Sequence, residues 1–261
     1  MKSEQLLHVE GLTVSTVENP QNTIIRDVTF SVAPESIVAL VGGSGSGKTT
    51  TGLSILQLLS PALNIDRGKI WFKGEDLLSY DRKKMNTVRG RKIGMIFQDP
   101  LQAFNPVFTI GFQVSEVMRW HTSVPRDGIQ GKVLELFAQV GLDDPARVYR
   151  SYPHQLSGGM RQRAMIAHAI AAEPSLLIAD EPTSSLDVTL QAKILELFKK
   201  LKNVYQFSII LITHDLGVVA HVADEMIVLH QGAVVEAGPT KDLTAHPRHV
   251  YTRQLIRTMI D

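Results

Sequence analysis

The sequence predicts an α/β fold: a phosphate-loop core with a mostly parallel sheet, an N-terminal antiparallel β layer and an inserted helical subdomain. Three observations predict it. Residues 42–49 read Gly-Gly-Ser-Gly-Ser-Gly-Lys-Thr, a G-x-x-x-x-G-K-[ST] loop. It follows the apolar run Ile37–Val41 and precedes Leu53, Leu56 and Leu59 at helical spacing, a strand–loop–helix order. Leu176–Ala179 and Ile209–Ile212 are wholly apolar, as strands covered on both faces are. From Leu101 to about Glu173 the pattern turns helical, interrupted by Pro106, Pro125, Pro145 and Pro153.

Taken in order, Leu6–Val14 and Ile24–Val32 carry strand-like residues and are separated by the turn cluster Glu18–Asn22, which gives the antiparallel layer. Pro34-Glu35 turns into the strand before the glycine loop. Thr50–Leu59 is expected to be a helix, Asp66-Arg67-Gly68 a turn and Lys69–Lys73 a strand. Ile93–Phe97 is a further strand, ending in Gln98-Asp99-Pro100. Val133, Leu136, Phe137 and Val140 share one face of a helix in the inserted part. Val188–Val204 is a helix with Leu190, Ile194, Leu197, Phe198 and Leu201 on one side. Glu225–Leu229 and Ala233–Glu236 read as a hairpin, and Val250–Ile260 as a closing helix. Residues 1–261 are therefore expected to form a single domain, with a core of 1–100 and 174–261 and a helical subdomain of 101–173.

With 44% hydrophobic and 20% charged residues the chain is globular. The net charge of +1 and the short basic stretches Arg82-Lys83-Lys84 and Arg89-Gly90-Arg91-Lys92 do not require a nucleic-acid partner. The absence of cysteine excludes disulfides, thiolate metal sites and cysteine-ligated iron–sulfur clusters, and fits the cytosol. No signal peptide is expected, and no apolar run approaches the ~18 residues of a membrane span. A membrane role would come through partners.

The glycine loop carries the chemistry. Glycines let the backbone curl and bring N–H groups close to an anion, and the following helix adds its positive end. Gly42, Gly43, Ser44, Gly45, Ser46, Gly47, Lys48, Thr49 and Thr50 are the candidate nucleotide-binding residues. Lys48 can reach terminal phosphates, and the Thr49 hydroxyl can bind Mg²⁺. Leu176–Ala179 leads into Asp180-Glu181. An acidic pair after a strand is by itself more often a turn. Beside a phosphate loop, Asp180 suits a Mg²⁺ held through water, and Glu181 is placed to polarise an attacking water. In Leu156–Arg163, Ser157 is a candidate N-cap and Gly158-Gly159 leaves N–H groups open. Taken alone this stretch also reads as an ordinary capped helix.

Gly42–Thr49, Gln98, Leu156–Gln162, Leu176–Glu181, Ser185-Leu186-Asp187 and His214 stand in the order of the ATP-binding cassette (ABC) ATPases, which the chain resembles over nearly its whole length. Gln98–Pro100, Phe104–Gly111, Leu186–Ala192 and the tail His246–Arg253 resemble the importers of oligopeptides, dipeptides and nickel. The resemblance implies a phosphate-loop ATPase core that binds ATP and Mg²⁺. It implies Thr49, Gln98 and Asp180 at the metal, with Glu181, His214 and Gln98 in catalysis. Ser157, Gly158 and Gly159 would contact ATP held by a second cassette, and Asp187 would lie at the dimer seam. His214 would hydrogen-bond the γ-phosphate. The implied partners are a second, non-identical ATPase subunit, two membrane permease subunits and an extracytoplasmic substrate-binding protein, without nucleic acid. The implied place is peripheral, on the cytoplasmic face of the inner membrane. Of the nine histidines, those other than His214 read as surface or packing residues.

Two departures stand out. ABC ATPases usually stack adenine on an aromatic residue in the N-terminal strand. Here the matching position is Thr16, and no aromatic lies between Gly11 and Thr29. Many peptide-branch relatives carry a cysteine-bearing C-terminal extension that this sequence lacks, which points to shorter members such as nickel or metallophore types. The competing readings are a non-transport ABC ATPase in repair or translation, and a module that binds nucleotide without turnover. Glu181 and His214 speak against the latter, because hydrolysis rather than binding requires them.

Overall fold

The computed structural model describes residues 5–99, 103–184 and 186–257. In chain order the elements begin with β1 (Leu7–Thr16), β2 (Thr23–Val32), β3 (Ile37–Val41), α1 (Lys48–Ile55), β4 (Leu63–Phe72), β5 (Glu75–Asp76) and α2 (Arg82–Asn86). Then come β6 (Ile93–Ile96), α3 (Ile110–His121), α4 (Ile129–Gln139), α5 (Pro145–Arg150), α6 (Gly158–Ile170), β7 (Leu176–Asp180) and α7 (Val188–Tyr205). The last are β8 (Ser208–Thr213), α8 (Leu216–Val222), β9 (Glu225–His230), β10 (Ala233–Pro239), α9 (Thr240–Ala245) and α10 (Val250–Arg257). The framework divides into two compact units, one running up to Met85 and resuming at Gln206, the other Asn86–Tyr205.

In the first unit β1 pairs antiparallel with β2 and with β4, the expected antiparallel layer. β3 lies parallel to both β8 and β9, and β10 closes antiparallel on β9. Every residue of β3 and β8 is buried, which accounts for the unbroken apolar runs Ile37–Val41 and Ile209–Ile212 within them. Ala39 and Val41 pack with Met226 and Val228 against Leu216 and Val219 of α8 and Leu243 of α9. Each of these buried Val, Leu and Met side chains contributes roughly 1.5–3 kcal/mol, and the Ala39 methyl less. In the second unit β6 and β7 pair in parallel, from Ile93↔Leu176 to Ile96↔Ala179. The apolar faces of α4 and α6 are buried through Val133, Leu136 and Phe137 and through Ala164 and Ala167.

Two sequence expectations are corrected. Asp66-Arg67-Gly68 is not a turn but part of continuous β4. The ladder to β1 shifts register between Glu10 and Thr13, and Gly68, at φ 112°, absorbs the irregularity. A Cβ there would lie 2.7 Å from Leu12 Cα. The first helix ends at Ile55 rather than Leu59, because Gln57 turns left-handed (φ 49°) and breaks the ladder. Pro100, Ser185 and residues 258–260 of the expected closing helix lie outside the described residues.

Candidate functional site

In the first unit, the parallel register Val41↔Thr213 brings the ends of β3 and β8 side by side. The glycine loop leaves one strand at Gly42 and His214 leaves the other, so both emerge where parallel sheets bind ligands. α1 opens at Lys48, with Gly47 in the left-handed region as its N-cap. Lys48 is buried, and its Nζ donates to the carbonyls of Gly42 (2.8 Å) and Gly43 (2.9 Å). Ser44, Gly45 and Thr49 face solvent, whereas the Ser46 Oγ is buried without a hydrogen-bond partner. The loop is braced from outside: the Gly232 N–H donates to the Ser46 carbonyl at 3.2 Å, and the Tyr251 hydroxyl accepts the Gly43 N–H at 2.7 Å. His214 is exposed; next to it, Asp215 caps α8 by accepting from Gly217 N (2.8 Å) and Val218 N (3.2 Å).

In the second unit, the β6–β7 register puts Asp180 and Glu181 beside the segment leading to Gln98. Asp180 is buried at the strand end. Glu181 adopts φ 45°, an uncommon conformation for a residue with a side chain, and accepts a hydrogen bond from Gln98 Nε2 at 3.0 Å. A carboxylate and an amide from opposite ends of the unit's sequence thus meet. Ser157 caps α6, its Oγ accepting from Met160 N at 3.3 Å, and Ser157 and Gly158 are exposed. Gly159 lies under Leu190 of α7, and Asp187 caps that helix through Leu190 N at 2.9 Å. A cavity of about 570 Å³ opens beside Ser157 and Gly159, with Arg147, Arg163 and Lys193 in its wall.

Sequence reasoning missed two contributors. Asp215 carried a readable signal, an aspartate directly before a short apolar helix. Tyr251 lies in the tail His246–Arg253, but nothing in that pattern pointed to the glycine loop, since the group it holds is 208 residues away.

The ABC transporter family profile matches residues 25–184. A putative peptide import ATP-binding protein of Brucella ovis is 45% identical, across 99% of this chain and 79% of its own length. The dipeptide and the oligopeptide transport ATP-binding proteins of Bacillus subtilis are each 45% identical, over 97% and 98% of this chain and 76% and 72% of theirs. Among solved structures, a dimeric ATP-binding cassette in a post-hydrolysis state, bound to ADP and phosphate, matches at TM-score 0.79 and 26% identity. It covers 90% of this chain and 98% of its own. A cassette from Clostridium perfringens, part of the ABC transporter complex cbiONQ, matches at TM-score 0.81 and 25% identity, covering 98% and 94%.

Proposed function

The chain belongs to the ABC transporter family and is one of its ATPases, and we propose that it powers an importer of peptides. The names of relatives matching 97–99% of the chain support the peptide reading. The nickel or metal-chelate reading rests on sequence resemblance alone, and none of those names carries it. A repair or translation role has no support from those names. The family profile runs across both compact units, which supports reading 1–261 as one cassette; the finer division into core 1–100 and 174–261 and helical subdomain 101–173 is part of the proposal, and the compact units divide instead after Met85 and before Gln206.

The Gln98–Glu181 contact carries the hydrolytic role. The donor set fits ATP and Mg²⁺: a buried ammonium at the phosphate loop, and a hydroxyl, an amide oxygen and a carboxylate on Thr49, Gln98 and Asp180, the oxygen ligands Mg²⁺ takes. Bound Mg²⁺ would neutralise charge on the phosphates. Residues 42–50 wrap the phosphates, with Lys48 turning from its own loop carbonyls to the terminal groups. Gln98 orients the Glu181 carboxylate. Glu181 takes a proton from water as its oxygen bonds to the γ-phosphorus. The bond to the β-phosphate oxygen breaks, releasing ADP and phosphate, while His214 steadies the γ-phosphate.

Ser157, Gly158 and Gly159 face the ATP of a second, non-identical cassette, with Asp187 at the seam. Around α3 the second unit exposes Val107, Phe108, Phe112 and Trp120, the last 76% accessible, and Phe108 stacks on Phe112. This aromatic surface suits contact with two permease subunits. No helix among the described residues is long and apolar enough to cross a membrane. In the proposed importer the subunit sits peripherally on the cytoplasmic face of the inner membrane, held by the permease subunits, and an extracytoplasmic binding protein delivers the peptide. In the purified complex, Glu181→Gln should keep ATP binding and lower turnover by roughly 10²–10⁴. Near-normal turnover would remove Glu181 from the mechanism.

A further inference from the structure

The Tyr251 hydroxyl reaches the phosphate loop from the far end of the chain. Tyr251 stands on α10, and its ring lies 3.8 Å from the His230 ring, centroid to centroid, tilted by 30°. α10 is fixed independently. Glu236 of β10 accepts the N–H groups of Arg248 (2.8 Å) and His249 (3.1 Å), and Tyr251, Leu255 and Ile256 pack on the core cluster of β3, β9, α8 and α9. The hydroxyl is thus held where it meets the Gly43 N–H at 2.7 Å.

That N–H shares a rigid peptide plane with the Gly42 carbonyl, and in a trans peptide the two point opposite ways. The Gly42 carbonyl accepts Lys48 Nζ at 2.8 Å. Fixing the N–H on one side therefore fixes the acceptor on the other. The Gly43 carbonyl in turn accepts both Lys48 Nζ (2.9 Å) and Ser46 N (3.3 Å). A Cβ on Gly43 would come 3.1 Å from the Tyr251 oxygen, so a side chain there would crowd the contact.

We propose that Tyr251 is a positioning residue for nucleotide binding: its hydroxyl sets the Gly42–Gly43 peptide plane, and through it the place of the Lys48 ammonium. The C-terminal helix is then a working part of the phosphate site. This rests on reading residues 42–50 as that site.

Tyr251→Phe in the full chain removes only the oxygen and keeps the ring on His230. Two readouts decide. Affinity for a fluorescent ATP analogue should fall about 2- to 12-fold, the span of one neutral hydrogen bond. Hydrogen exchange at the Gly43 amide should quicken in the nucleotide-free protein, while the Arg248 and His249 amides stay protected. Unchanged affinity and Gly43 exchange would overturn the proposal. So would loss of affinity only together with exposure of the Arg248 and His249 amides, because Tyr251 would then merely anchor its helix. Failure of the unsubstituted chain to bind ATP would count against the phosphate-site reading, and the Gly43 exchange arm tests the hydroxyl contact regardless.

Discussion

Gly42→Ala tests the phosphate loop where it has least room. A Cβ on Gly42 would lie 2.2 Å from the Leu229 carbonyl oxygen and 2.6 Å from Ser46 Oγ. The first contact falls 0.8 Å inside the 3.0 Å that real Cβ atoms respect (3.0 minus 2.2). Ser46 can rotate, but Leu229 cannot retreat: it belongs to β9, laddered to β10 through Leu229↔Val234, while the neighbouring Val228 pairs with Val41 of β3. The loop must yield, at about 1–3 kcal/mol for an overpacked methyl. Strain kept in the fold lowers the melting temperature. Strain relieved by moving the loop displaces both carbonyls that hold Lys48 and weakens nucleotide binding. At 1.4 kcal/mol per tenfold, complete relief corresponds to roughly 5- to 150-fold in affinity. Titration with a fluorescent ATP analogue, paired with thermal melting of the ligand-free protein, measures both. A variant with native affinity and native melting temperature would show that the loop is not confined as described.

Two further results are expected. With Thr16 in place of a ring, its hydroxyl spent on the Asn19 carbonyl at 2.9 Å, discrimination between ATP and GTP should be modest. Thr16→Tyr should tighten ATP binding by roughly 2- to 12-fold, and a strong native ATP preference untouched by that change would mean the base is gripped elsewhere. His168 of α6 packs edge-on to Phe104, and burial pushes its imidazole from 6.5 down to about 4, although part of the residue remains accessible. The unfolded chain therefore takes the proton first, so stability is full above about pH 6.5 and is lost as pH falls toward about 4. Denaturation midpoints at pH 7.5 and pH 5 should differ less in His168→Gln than in the unsubstituted chain; equal differences would contradict the assignment.

The parallel strands were legible because burial on both faces leaves nothing to alternate: β3, β7 and β8 are buried throughout, and Ile37–Val41, Leu176–Ala179 and Ile209–Ile212 within them are unbroken apolar runs. The glycine loop was legible because its backbone demands write a local pattern. Asp66-Arg67-Gly68 misled for the opposite reason: its composition is that of a turn, but pairing with β1 holds it in a strand. The short helices α2, α8 and α9 have too few residues for a period to show. At the site, residue types were readable and encounters were not. Glu181 meets Gln98 across 83 positions and Gly43 meets Tyr251 across 208, distances over which no local spacing speaks. The left-handed backbone at Glu181 is likewise set by its surroundings rather than by its own preference.

The central claim is that ATP on the loop of one cassette is completed by Ser157, Gly158 and Gly159 of another. Ser157→Arg, in a Glu181→Gln background with the partner cassette present, tests it most directly. Ser157 is exposed at the start of α6, so the new side chain has room, at the cost of a cap worth about 0.5–2 kcal/mol that circular dichroism would register. Light scattering with ATP should show a dimer for Glu181→Gln and monomers once Ser157→Arg is added, while the isolated subunit binds nucleotide equally well in both. Dimers of equal abundance in both proteins would contradict the claim.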